Sequence, residues 1–524
     1  MASQGRVQRL AERRLSTRLW TEGVAPFAIL LFALSAASLN LGEQMAKFPL
    51  LKEAGYPDSY ILYDIQHFQR TGVIYRDLSQ PPFQPAQYSP MLYVLLALPG
   101  SLLPIENPFV GPRVIVFAAY LLCVVVTASI AHAIIPLRST WLWGILLGSS
   151  ITSMTFWILQ LRSDFLGILF ELLSIRLLLS RSRWATLIAG MCAGLALQFK
   201  ITMIAGLAAG ILWLFLNRNW RLLLLFVLAG VATSGGLYFF FLVREPRMIE
   251  QMTTFRTIIP DYRGLIYHIA RILIEPVSLL AVAALIGRYP LRPWRPWKLL
   301  LLFSAISFCI AVSTDVHAGG NLNYFYEFLF SVTPLAVFSV FHLKTDPRKW
   351  KAGSVCLAGL MGFLVLPIFR DLRSLCERLS PSYIRTANQR AVLIREAFQG
   401  RHIFSTVPYV ALFDPQPAII EPYLFSYLQR VGKIDPTPLM NSLEREEFEA
   451  VVTQSHAWSY RGIDHISPRL RQAIITAYTP RCELDGLLVH LPRDTTHSVD
   501  LRTKLQEIGC QPVLCDNGGS CPPW

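Results

Sequence analysis

Between Tyr56 and Pro90 the chain reads YPDSYILYDIQHFQRTGVIYRDLSQPPFQPAQYSP, a long polar interval that follows a first apolar run. Asp58, Asp64, His67, Arg70, Arg76 and Asp77 are interleaved there with Tyr56, Tyr60, Tyr63, Tyr75 and Tyr88. If Ser59 to Thr71 is a short helix, Asp64 and His67 lie near one another, because residues three and four apart share a face. A carboxylate beside aromatic rings at a membrane surface suits chemistry on a sugar or a lipid phosphate. Most of these charges read more simply as the solvated side chains of a connecting loop. Asp64 is the exception, for a reason that comes from the rest of the chain.

Four other places hold ionisable groups inside or at the ends of apolar runs, where they are costly unless paired or facing water. In QLRSDF, Arg162 could clamp a phosphate in bidentate fashion with Asp164 orienting it; equally, the two pair with each other and cap the next helix. Lys200, in ALQFKITM, either snorkels to the headgroups or supplies a point charge to a lipid-linked phosphate. The stretch TDVHAGGNLNYFYEF gathers His317, Asn321, Asn323, Tyr324 and Glu327 at the opening of a span. Gly319 and Gly320 permit close backbone approach there, and that density of polar groups before an apolar run favours a functional reading. Glu171 and Arg176, five apart, read as a buried structural pair.

The elements that must position these groups are membrane helices. Of 524 residues, 53% are hydrophobic and only 16% charged, which is the composition of a polytopic membrane protein. The net charge of +14 sits largely in short loops between apolar runs, where it sets orientation and does not argue for nucleic acid. Apolar spans run Val24 to Leu41, Met91 to Ile105, Val114 to Ile135, Trp141 to Leu161, Phe165 to Leu179 and Trp184 to Gln198. Others run Ile201 to Leu216, Leu222 to Val243, Leu265 to Ile286, Leu299 to Val312, Phe325 to Phe341 and Ala352 to Phe369. Several fall short of the roughly 20 residues of a full crossing, so some must be tilted, broken or half-buried. The expected fold is mainly α, a transmembrane bundle of about 11 to 13 helices. A C-terminal α/β or α+β domain follows it.

Arg6, Arg9, Arg13, Arg14 and Arg18 mark a cytoplasmic N-terminus ahead of a retained first helix. Basic loops at Arg181 with Arg183, Arg218 with Arg221, Gly287 to Lys298 and His342 to Lys351 should also be cytoplasmic. From Arg181 onward that alternation puts Lys200, the Arg244 to Arg263 loop, Thr314 to Tyr324 and the tail outside, and the cytoplasmic N-terminus puts the first loop (42–90) outside as well. An odd number of crossings is then needed, and Trp141 to Leu161, with GSSITS at its centre, is the span to split. Residues 1–369 form the membrane domain and 370–524 a soluble external one. Cys510, Cys515 and Cys521 crowd the end of the tail and suggest a disulfide in an oxidising compartment. A zinc site there is the runner-up, since paired CxxC units are lacking. No Walker loop, GxGxxG, HExxH or GxSxG is present, so nucleotide hydrolysis, dinucleotide redox chemistry and common hydrolase routes have no support. With no large cytoplasmic segment to bind a nucleotide sugar, any sugar donor is lipid-linked.

The order of these features resembles the GT-C superfamily of integral-membrane glycosyltransferases, which use polyprenyl-phosphate sugars. The similar stretches are YDIQHFQRTGVIYRD in the first loop, QYSPMLYVLLALPG entering the second span, LRSDF, GLALQFKITMI and GGNLNYFYEF. They cover roughly residues 20 to 369, and the tail resembles the external domain of some members. The resemblance implies that Asp64, with Asp58 as fallback, is the general base that deprotonates an acceptor hydroxyl. Inversion at the anomeric carbon would follow from the direct displacement. It implies that Arg162 and Lys200, then Arg70, Arg76 and His317, stabilise the leaving phosphate. Asn321, Asn323, Tyr324, Glu327, Tyr88 and Asp164 would contact sugar. The expected partners are a polyprenyl-phosphate sugar, hexosyl or pentosyl, a lipid or glycan acceptor and the membrane lipids of a bacterial inner membrane. Ile65 follows Asp64 where the aminoarabinose and protein-mannosyl branches carry an Asp-Glu pair, so no metal or other cofactor is assigned. Two rivals stand beside this reading. A flippase of lipid-linked sugars would want internal repeats and charges near span midpoints, neither of which is evident. A non-catalytic assembly protein would leave Asp64 dispensable.

Overall fold

The computed structural model describes residues 25–102, 107–180, 182–254, 260–286, 294–317, 320–345, 368, 371–454, 459–460, 463–464, 466–493 and 499–512. The basic N-terminal residues, Arg181, Gly319, the basic run at 346–351, most of Gly287 to Lys298, Cys515, Cys521 and the span Ala352 to Phe369 apart from Ile368 lie outside them.

The membrane part is a succession of helices: α1 (Ala25–Lys47), α2 (Pro57–Thr71), α3 (Pro90–Leu102), α4 (Val110–Ile134), α5 (Arg138–Ser149), α6 (Asp164–Leu178) and α7 (Arg183–Ala196). It continues through α8 (Ala205–Leu216), α9 (Trp220–Arg244), α10 (Met248–Thr254), α11 (Tyr262–Leu273), α12 (Pro276–Ile286), α13 (Trp294–Asp315) and α14 (Tyr326–Thr345). Among the described residues five helices are long and apolar enough to cross a membrane, or six if the bent pair α11 and α12 counts as one span. The runs at α3, α7 and α8 form shorter apolar helices, as their lengths in the sequence require. Leu224, Leu228, Val231, Phe239 and Val243 of α9 all point outward, as a face bathed in lipid does.

The interruptions have local causes. The run expected from Trp141 to Leu161 is helical only to Ser149. Ser149 and Ser150 turn their hydroxyls back onto the carbonyls of Ile145 and Leu147, and Asn40 of α1 takes the freed carbonyls of Ser149 and Ile151. A 3-10 turn at Thr152–Met154 follows, and Glu275 accepts from Thr152 N, Thr152 Oγ1 and Ser153 N. The run from Leu265 to Ile286 breaks at Pro276, which lacks the N–H that would continue the helix, and the two halves meet at 71°. In the first loop, Pro57 starts α2 and Gly72, at φ +71°, ends it in the left-handed region that other residues avoid.

The tail contains α15 (Pro381–Phe398), α16 (Pro408–Ala411), α17 (Pro422–Arg430), α18 (Thr437–Glu444), α19 (Pro468–Ala477) and α20 (Val499–Glu507). Its strands are β1 (Ile403–Ser405), β2 (Ala450–Gln454), β3 (Ser459–Tyr460), β4 (Ile463–Asp464), β5 (Tyr478–Leu484), β6 (Leu487–Pro492) and β7 (Gln511–Pro512). One mixed sheet has the order β1-β2-β6-β5-β7, with β1 parallel to β2 and the other pairs antiparallel, and β3 pairs with β4 separately. One apolar cluster of the tail takes in Phe83 of the first loop, whose ring lies 5.5 Å from that of Phe425. Tyr56 of the same loop donates to Glu421 at 2.5 Å. Loop and tail are therefore interlocked.

Cys510 pairs not with its close neighbours in sequence but with Cys482 on β5, 28 residues earlier. Cross-linking a loop of that length removes freedom from the unfolded chain, on the order of 3 kcal/mol. Cys482→Ser is expected to lower the unfolding free energy of the tail by that amount, read as a fall in the denaturant midpoint multiplied by the m value in guanidinium titrations of the purified protein. An unchanged midpoint would mean that the sheet is held by its strand pairing alone.

Candidate active site

Two charged units are built on buried aspartates. The first is built on Asp164, which opens α6 and is buried. Its Oδ1 accepts from Lys200 Nζ at 2.8 Å and from Asn323 Nδ2 at 3.0 Å, and its Oδ2 lies 3.8 Å from Arg162 Nε. Lys200 Nζ stands 4.1 Å from the centre of the Tyr324 ring, and the Arg162 guanidinium 4.9 Å from that of Trp157. The two alternatives for Arg162 and Asp164 thus resolve into a larger set. The aspartate collects two cations and an amide, each from a separate polar interruption of the apolar sequence.

The second unit is Asp64 on α2. It is buried, and its Oδ1 accepts from Arg76 Nη2 at 2.5 Å. Arg76 is also buried, with its guanidinium 4.6 Å from the Tyr63 ring centre, and its carbonyl accepts from Gln251. Asp64 Oδ2 and Arg76 Nε and Nη1 have no hydrogen-bond partner among the described residues. Burial pushes the Asp64 carboxyl up to about 7, against the pull of Arg76. A carboxylate so placed keeps one oxygen for a hydroxyl while the arginine holds the other.

Tyr88 reaches from the Asp164 unit to Tyr75, the neighbour of Arg76. Its phenol accepts from Arg162 Nε at 3.3 Å, its carbonyl accepts from Tyr75 at 2.7 Å and its N–H donates to Tyr93 at 3.2 Å. Trp157, whose ring Arg162 faces, also lines a cavity of about 460 Å³ together with Lys47, Thr152, Arg271, Leu322 and Arg378 among others. That volume is within the range of small-ligand sites.

Other residues singled out in the sequence sit elsewhere. Asp58 is a structural acceptor: Oδ1 takes Leu161 N at 2.9 Å and Oδ2 takes Ala54 N at 2.8 Å. Arg70 is exposed and turns back to the Gln66 carbonyl on its own helix. His67 stacks on Tyr63 rather than meeting Asp64, and burial together with Arg76 and Arg70 lowers it to about 4. Asn321 caps the 3-10 turn Leu322–Phe325 by accepting Leu322 N, and exposed His317 forms a backbone bridge to Pro260. Glu327 points into the bundle, against Glu171. The expected Glu171–Arg176 pair is not formed: Arg176 donates to Ser129 Oγ, and Glu171 accepts from Gly206. Five residues along a helix rotate a side chain about 140° from its start, which separates the two.

Sequence reasoning missed three anchors. Arg113 is fully buried and donates to the carbonyls of Lys47, Phe48, Leu50 and Lys52, gathering the chain where α1 passes into the first loop. Glu245 accepts Ile74 N and Tyr75 N, fixing the segment after α2 that carries Arg76. Gln251 spans Arg76 and Ala86. Nothing in residue type or spacing signals the carbonyls they serve. Among the described residues no three His, Cys, Asp or Glu side chains converge as metal ligands; the carboxylates here face protein cations.

No family model and no curated protein sequence matches the chain. Its fold has solved counterparts. The structure of ArnT from Cupriavidus metallidurans bound to undecaprenyl phosphate superposes with a TM-score of 0.58 at 13% identity, over 91% of this chain and 98% of that one. The same protein in the apo state gives 0.58 at 12% identity, over 96% and 99%. At these identities the likeness is one of fold.

Proposed function

We propose, from the premise that this integral-membrane chain has the GT-C fold, that it is a glycosyltransferase drawing on a polyprenyl-phosphate sugar. The observation that carries the reading is a pair of buried charged sites, Asp64–Arg76 with one carboxylate oxygen unengaged and Asp164–Lys200–Arg162, with Tyr88 bound to Arg162 and to Tyr75, the neighbour of Arg76. Asp64 Oδ2 takes the proton of an acceptor hydroxyl. The hydroxyl oxygen attacks the anomeric carbon, the bond from that carbon to the phosphate oxygen breaks, and the configuration inverts. The negative charge gathers on the leaving lipid phosphate, where Lys200 and Arg162 oppose it. The bound phosphate known in ArnT, undecaprenyl phosphate, is the donor carrier taken for this chain. Asn323, Tyr324 and Tyr88 flank the sugar, which is a hexose or pentose, and the acceptor is a lipid or glycan. The division into a membrane domain at 1–369 and an external domain at 370–524, with the site on the external face of a bacterial inner membrane, belongs to the same proposal.

The test is transfer from a panel of radiolabelled polyprenyl-phosphate sugars to lipid and glycan acceptors by the purified protein. Transfer from one donor is the expected result. No transfer from any donor, with lipid-linked sugar still crossing proteoliposomes, would replace the enzyme by a flippase.

The pH dependence follows from Asp64. Held near 7 by burial, it is mostly protonated at pH 6 and cannot accept a proton; it ionises as pH rises. The rate of transfer should therefore climb about tenfold per pH unit below 7 and level off above it. His67, kept neutral by its lowered value of about 4, adds no limb in that window. A flat profile from pH 5 to 8, with chemistry shown to limit the rate, would remove Asp64 from the role.

A further inference from the structure

Behind the Asp164 unit lie two carboxyls that the chemistry above does not use. Glu171 is seven residues after Asp164 on α6, two turns on and on the same face. Glu327 is the second residue of α14, four after Asn323. Both are buried. Glu171 Oε2 accepts the N–H of Gly206, the second residue of α8, and so satisfies an open donor at the start of the helix that follows Lys200. A Cβ at Gly206 would overlap that carboxylate, so the approach depends on the glycine. The Glu171 and Glu327 carboxyls also lie within hydrogen-bonding reach of each other, and their Oε1 atoms have no donor among the described residues. An ionised carboxylate only accepts. A hydrogen bond between two carboxyls therefore requires a proton, and two bare charges in such a place would repel strongly.

We propose that Glu171 and Glu327 share one proton and, with the Gly206 N–H, form a knot that positions Asp164, Lys200 and Asn323. Three elements meet at the knot, and each carries one member of the cluster at its near end. Asp164 opens α6, Lys200 precedes α8, and Asn323 lies in the turn that leads into α14. The charged group facing the knot is Lys200, whose field reaches Glu327 from the segment before α8. Glu171 and Glu327 are positioning residues: they act through the backbone of these elements and touch no reacting atom. What the cluster does rests on the reading above; the shared proton and the positioning do not.

The test begins with infrared difference spectra of purified wild type against Glu327→Gln and Glu171→Gln. At pH 8.5, where Asp64 is ionised, a protonated-carboxyl carbonyl band is expected in the wild-type-minus-variant difference for both variants, whose amide N–H can take the place of the shared proton without loss of fold. Glu327→Gln should then transfer sugar at close to the wild-type rate. Glu327→Ala and Gly206→Ala, which break the knot, should lose kcat on the order of 100-fold, as small misplacements of catalytic groups do. A structure of Glu327→Ala should show Asn323 withdrawn from Asp164. The idea is overturned if wild type lacks the band, if Glu327→Ala leaves Asn323 and Lys200 in place, or if Glu327→Gln is as slow as Glu327→Ala, which would make the carboxyl proton part of the reaction. Should wild type transfer nothing from any donor, the functional reading fails, while the band and the positions of Lys200 and Asn323 still decide this one.

Discussion

Replacing Asp64 by Asn is expected to lower sugar transfer by about 10²- to 10⁴-fold, the range that a positioned general base supplies. The amide keeps the shape of the carboxylate and an oxygen for Arg76, but it cannot take a proton from an acceptor hydroxyl. Asp64 suits the role because Arg76 engages one of its oxygens and no described residue engages the other. Asp58 makes the informative contrast. Both of its oxygens accept backbone N–H groups, one across to Leu161, so Asp58→Asn should act on folding and leave kcat of the folded fraction nearly intact. Kinetics normalised to the folded fraction, from size-exclusion chromatography in detergent, separate the two effects. Transfer by Asp64→Asn within tenfold of wild type would move the base elsewhere.

The membrane helices were legible because composition and run length are all that a lipid environment asks of a span. The helix in the first loop was legible only as a condition, Ser59 to Thr71; the structure starts it at Pro57 and stops it at Gly72. The polar interruptions at Arg162, Lys200 and Asn323 were legible too, since charge at the end of an apolar run demands a partner. Their common partner was not, because the pairing joins residues 36 and 159 positions apart and no local period records it. Glu171 shows the same limit from the other side. Arg176 is its nearest cation on the helix but faces away, and the groups that meet it come from α8 and α14. Arg113 was invisible for a simpler reason. It holds four backbone carbonyls, and a carbonyl belongs to every residue. The disulfide likewise followed the sheet: Cys510 precedes the strand that pairs with β5, which brings it to Cys482 and away from its neighbours in sequence.

Lys200→Met should cost transfer about 10²- to 10³-fold, the loss typical when one group that stabilises developing charge is removed. The methionine keeps the length and apolar stem, so the effect reports the charge. Lys200 Nζ is held between Asp164 Oδ1 and the face of Tyr324, which fixes where its remaining donors point. If it opposes charge on the leaving phosphate in the transition state, kcat falls and KM for the donor changes little. If it only anchors the ground-state phosphate, KM rises and kcat stays, and the transition-state role is lost. Asp164→Asn should fall in the same direction, because the carboxylate that orients Lys200 and Asn323 is weakened. Since both substitutions disable one unit, the double variant should be little worse than either single one, so that the coupling in the cycle is close to the smaller of the two single losses. Additive losses would mean that Asp164 and Lys200 serve the reaction separately, Lys200 at the phosphate and Asp164 at the sugar.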